Sequence, residues 1–150
     1  MIRIGIFDGY EKGAAAELLR ELIESRPIEI CDACKEPVDI LIVNKAPLDG
    51  AVHCSPKIVI ANSDDGRVLQ FVASLEAQII TYGLNPKAAI TASSCADDIY
   101  VICVQRAMVT IDDEPILPRE FSVKIQDCEG FDDIVMSAVA AALICGADFK

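Results

Sequence analysis

Apolar positions along the chain fall into short runs separated by turn-forming clusters. Residues 2–7, Ile-Arg-Ile-Gly-Ile-Phe, alternate and are β-branched, which predicts a strand. Asp8-Gly9 signals a turn. Residues 14–25 predict a helix whose apolar stripe is Leu18, Leu19, Leu22 and Ile23, stopped by Pro27. Ile28 to Ile30 suit a short second strand. Val38 to Val43 form a nearly unbroken apolar run, as expected of a parallel strand buried on both faces, and residues 57–61 repeat that pattern. Asn62-Ser63-Asp64-Asp65-Gly66 is a turn suited to capping a helix over about 67–75, followed by a strand over 77–82 that Gly83 closes. The order β-α-β-β-β-α-β predicts an α/β layered domain with a mainly parallel sheet and flanking helices.

The rhythm then changes. Residues 88–94, 98–104, 107–111 and 116–125 read as strands, with turns at Asp97-Asp98 and Asp112-Asp113-Glu114. Such short connections imply antiparallel pairing, so these strands extend the sheet in the second half of the chain. A closing helix is expected over 132–145, with Asp132 or Asp133 as its cap and Gly146 at its C′ position. With 150 residues and no repeat or low-complexity linker, one domain over residues 1–150 accounts for the chain.

Composition narrows the function. Hydrophobic residues make up 53% and mean hydropathy is +0.38, so a full core is available and disorder of the whole chain is excluded. No apolar run approaches the roughly 20 residues that span a bilayer. No basic segment leads into an apolar stretch, so no secretory leader is expected. Thirteen Lys and Arg stand against 24 Asp and Glu, a net charge of -11. That surface repels phosphate backbones and anionic lipid, so neither nucleic acid nor membrane is an expected partner. Seven cysteines, several inside apolar runs, fit reduced thiols in a cytoplasmic protein.

Some residue groups have the types and spacing for chemistry. Gly5, Gly9, Lys12 and Gly13 lie where a strand–loop–helix would hold phosphate. Glu11 precedes that Lys, however, and the Mg²⁺-binding hydroxyl that normally follows it is missing. An ordinary strand–turn–helix explains the same residues. Cys31 and Cys34 form a Cys-x-x-Cys, and with His53 and Cys54 they supply ligand types that suit zinc. A redox pair is another reading, and incidental thiols a third. His53 beside Cys54 has the types of a base and a nucleophile, but neighbouring side chains in a loop diverge. The paired aspartates at 97–98, 112–113 and 132–133 read as turn and cap chemistry.

Two longer segments carry a resemblance. Residues 58–65, Ile-Val-Ile-Ala-Asn-Ser-Asp-Asp, and residues 79–94, Ile-Ile-Thr-Tyr-Gly-Leu-Asn-Pro-Lys-Ala-Ala-Ile-Thr-Ala-Ser-Ser, resemble the central domain of the Mur ligase family. That family comprises ATP-dependent amino-acid ligases of peptidoglycan synthesis and the related folylpolyglutamate synthases. Asn62, Asp64, Asp65, Tyr82, Gly83 and Asn85 match its Asn-x-Asp-Asp turn and the Tyr-Gly strand end. Gly130-Phe131-Asp132 followed by Ser137-Ala138-Val139-Ala140-Ala141-Ala142 is similar to its closing Gly-His-Asn … Asn-Ala-x-Ala-Ala helix, with the His and both Asn replaced. Residues 5–14 then align with its phosphate loop, retaining Gly5 and Lys12, and Glu17-Leu18-Leu19 matches the helix behind it. The resemblance covers about residues 1–24 and 57–150.

The resemblance implies the P-loop/Rossmann-like fold of that central domain and a nucleotide site formed by Gly5, Gly9, Lys12, Asn62, Asp64, Asp65, Tyr82 and Asn85, with ATP and Mg²⁺ as the family's cofactors. The departures imply that the chemistry is lost. The glycine before Lys12 and the hydroxyl after it are gone, Asp8 and Glu11 add negative charge, and Val43 to Asp49 lacks the His of the family's Asp-His loop. Phosphoryl transfer needs cradle, metal and Lys together. The expected function is therefore a non-catalytic Mur-ligase-like module for binding or assembly, with no bound cofactor. Its partner would be a complete ligase, a cell-envelope enzyme or a second copy. The alternatives are a residual nucleotide-binding subunit of a split or accessory amide ligase, and a thiol or zinc protein built on the Cys-x-x-Cys.

Overall fold

The computed structural model describes residues 1–7, 12–24, 26–32, 35–47, 55–94, 97–126 and 132–149. Its main element is an eight-stranded mixed sheet. The chain runs β1 (Ile2–Phe7), α1 (Lys12–Leu22), β2 (Ile28–Cys31), β3 (Ile40–Val43), β4 (Ile58–Asn62), α2 (Gly66–Val72), β5 (Gln78–Tyr82), β6 (Ile90–Ser94), β7 (Ile99–Val104), β8 (Met108–Val109), β9 (Pro115–Ile116), β10 (Arg119–Lys124) and α3 (Asp132–Ile144). The strand order is β10-β7-β6-β5-β4-β3-β1-β2. Strands β2 to β6 are parallel, and β7 joins β6 and β10 antiparallel. The expected α/β class with a parallel first half and an antiparallel extension is therefore what the chain adopts.

Alternation along the strands sorts side chains to two faces. Ile4, Ile40, Ile42, Ile58, Ile60, Ile80, Tyr82, Ile102 and Phe121 belong to the larger core cluster, which α1 and α3 complete. α3 is buried from Ile134 to Ile144, because it lies between the sheet and α1 and meets apolar surface on all sides. Its alanines at 138 and 140–142 let that close packing occur. Leu41, Val43, Val59 and Ala61 point to the other face, where Val68 and Val72 of α2 cover them.

The sequence-based element boundaries shift at two places for local reasons. Strand β3 begins at Ile40, not Val38, because Asp39 interposes its side chain: the Arg3 N–H donates to Asp39 Oδ2 at 2.8 Å, while the Asp39 N–H donates to the Arg3 carbonyl at 2.8 Å. The strand expected over 116–125 is split at Leu117-Pro118, since proline has no N–H for a ladder. Its first part, β9, pairs with β8 in a separate two-stranded sheet. Arg26 reaches Asp112, and Lys57 reaches Asp113 and the Ile111 carbonyl, fixing the turn of that hairpin. Asp97 and Asp98, between β6 and β7, both have positive φ, a conformation that Asp tolerates in turns.

Candidate functional site

Parallel strands deliver their carboxyl ends to one edge of the sheet. β1 has β2 on one side and β3 on the other, so the chain reverses its direction of winding between β1 and β3. Crevices beyond the strand ends at such a reversal are the usual ligand sites of open α/β sheets. Here the Asn44 and Lys45 N–H groups both donate to the Phe7 carbonyl, at 2.7 and 3.1 Å, closing the gap between β3 and β1.

The turn after β4 and the loop after β5 form one hydrogen-bonded unit at that edge. Asn62 Oδ1 accepts from the Asp64 N–H at 3.0 Å, folding the chain back on itself. Asp65 caps α2, accepting from the Arg67 N–H at 2.9 Å. The Asp64 carboxylate reaches across to the other loop. It accepts from the Leu84 N–H at 2.7 Å, the Asn85 N–H at 3.2 Å and Asn85 Nδ2 at 2.7 Å. Asn85 Nδ2 also meets Ser63 Oγ at 2.8 Å. Gly83 is required by this contact, since a Cβ there would sit 2.6 Å from Asp64 Oδ1. Desolvation raises the Asp64 carboxyl, but the bonds from Asn85 and Leu84 outweigh it and hold the group below its ordinary value.

A second polar pair lies beneath, inside the core. The Tyr82 hydroxyl donates to Asn44 Oδ1, and both residues are buried, Asn44 being 2% exposed. Among the described residues Asn44 Nδ2 has no partner. The first turn of α3 also faces this edge. Asp133 is raised above its ordinary value by desolvation and by the charges of Asp64 and Asp132, with Lys45 opposing them. Asp132 and Asp133 occupy the first helical turn of α3, where acidic groups complement the helix dipole.

The expected site residues are thus partly assembled. Asn62, Asp64, Asp65, Tyr82 and Asn85 share the carboxyl edge. Gly5 lies within β1, paired with Cys31 on one side and Leu41 on the other, two residues before the strand ends. Lys12 opens α1, so the helix start agrees with a strand–loop–helix layout. Gly9 lies outside the described residues.

Of the proposed zinc ligands, Cys34, His53 and Cys54 also lie outside them. Cys31 is buried against the α2 side of the sheet, and burial, with Glu29 and Glu36, pushes its thiol up. Among the described residues no group of three His, Cys, Asp or Glu is placed to hold a metal. Asn44 and Asp133 were visible in the sequence only as a loop residue and a cap. The one signal for Asn44 is its place directly after an apolar strand, which Asn62 shares.

The ATP and Mg²⁺ implied by the sequence resemblance fit this edge poorly. The Asp64 carboxylate and the Asn85 amide are bonded to each other and to backbone, so neither is free for a base or ribose. Asp64 and Asp132 both act on Asp133 there, and Lys45 opposes them. No protein-family model matches the chain, and no curated protein matches it in sequence.

Proposed function

We propose that this chain is a Mur-ligase-like central domain that has kept the frame of its fold and lost phosphoryl chemistry, and that it works as a binding or assembly module. The observation that carries this reading is the Asp64–Leu84–Asn85 clasp. Residues that match the family's turn hold two loops of this protein together. The carboxylates around the clasp disfavour a polyphosphate at the same edge. Its partner class is a complete ligase of that family or another cell-envelope enzyme.

Hydrolysis of Mg-ATP by the purified chain tests the loss of chemistry. The expected rate equals the no-enzyme control. Hydrolysis above that control, abolished by Lys12→Ala, contradicts the proposal and favours the residual nucleotide-binding subunit.

A further inference from the structure

We propose that β10 is a self-association edge: two copies pair their β10 strands antiparallel about Ser122, so that one sheet continues into the other. β10 is the terminal strand, and among the described residues nothing pairs with its outer side. The direction of its free groups follows from one bond. The Ile125 N–H donates to the Asp98 carbonyl at 2.9 Å, just beyond the β7 end of the ladder. Backbone groups alternate along an antiparallel strand, so Phe121 and Val123 bond toward β7, while Glu120, Ser122 and Lys124 turn theirs outward. Edges of this kind are templates for another strand.

The side chains favour a second copy as the occupant. A twofold axis through Ser122 brings outward-bonding residues opposite one another, which allows about six inter-chain hydrogen bonds. It sets Glu120 opposite Lys124 of the second copy, twice by symmetry. On the other face it sets Phe121 opposite Val123, an aromatic–β-branched pair of the stabilising kind. Glu120, Ser122 and Lys124 are exposed and Val123 is half-buried, so this surface is available. The other terminal strand, β2, offers no such match: its one charged residue, Glu29, is ion-paired with Arg3 at 3.6 Å.

Sedimentation of the full chain at concentrations up to about 1 mM tests this. The wild type is expected to reach a dimer. Ser122→Pro removes an outward N–H without touching the β7 ladder, and is expected to leave a monomer. Lys124→Glu places Glu opposite Glu twice and is expected to weaken the dimer about tenfold. Adding Glu120→Lys to it restores the opposite-charge pairs and is expected to restore the dimer, a readout that stands even where the proline variant fails to fold. A wild-type chain that stays monomeric throughout, or a dimer unmoved by Ser122→Pro and by Lys124→Glu, overturns the proposal.

Discussion

The two halves of the sheet bury themselves differently. Strands β3 and β4 are buried residue after residue, with α3 on one face and α2 on the other. Strand β7 alternates instead: Tyr100, Ile102 and Val104 are buried, while Ile99, Val101 and Cys103 are half-exposed. The parallel half obtained two helical covers because each parallel connection must cross a face of the sheet. The antiparallel half returns without a described helix between its strands and, among the described residues, is covered on the α3 side. Its consequence is a division of labour: polar residues at the carboxyl ends of the parallel strands form the candidate site, while the antiparallel half ends in β10, whose outer side pairs with nothing among the described residues.

Substitutions can break or sharpen this contrast. The largest effect is expected from Val139→Asp, which puts an unpaired charge at the centre of α3 and should cost more than about 4 kcal/mol in a urea melt. Val101→Asp, on the half-open face of β7, should cost less than about 1 kcal/mol. Equal costs would mean that the two halves are covered alike. Tyr82→Phe removes the only described partner of the buried Asn44 amide and is expected to cost about 1–3 kcal/mol. Gly83→Ala displaces the Asp64 carboxylate from its three donors, an expected loss of about 1–2 kcal/mol. Part of the fall should disappear when Asp64→Ala is already present, since the Cβ then meets no carboxylate, and the part set by the φ of +158 should remain.

The smallest effect has the opposite sign. Asp133 is held above its ordinary value, so its ionised form opposes folding. Its contribution is favourable below the unfolded carboxyl pKa, about 4, and is lost as pH rises through the folded value. Asp133→Asn should therefore stabilise the protein at neutral pH, within about 0.5 kcal/mol, and the gain should vanish in acid. Asp64 behaves inversely. Its lowered pKa contributes stability above about pH 4 that disappears as pH falls through the folded value, and Asp64→Asn should flatten that limb of a pH-dependent melt.

Much of the fold is legible in the residues. Periodicity alone predicts β1, α1, β4, α2, β5 and α3 to within a few positions, because each combines a clear hydrophobic period with a turn or cap at its ends. Gly146 has φ +91, as its expected place after α3 demands. The splitting of β9 from β10 follows from Pro118, but the pairing of β9 with β8 is a tertiary choice fixed by Arg26 and Lys57. The site was legible as a set of residues and not as a network. Asn62, Asp64 and Asn85 announce a turn and a loop, yet only the parallel register of β4 and β5 brings the two within bonding distance. Nothing local pairs Asn44 with Tyr82, or sets Asp133 against Asp64.

We propose that the chain has kept the frame of the fold and lost nucleotide binding together with phosphoryl chemistry. A thermal melt with Mg-ATP, Mg-ADP and UDP-sugars at millimolar ligand tests it most directly. A ligand at 100 times its dissociation constant adds about 2.7 kcal/mol, which raises Tm by several degrees in a domain of this size. No rise is expected with any of them. A rise with ATP or ADP that Lys12→Ala removes would contradict the proposal.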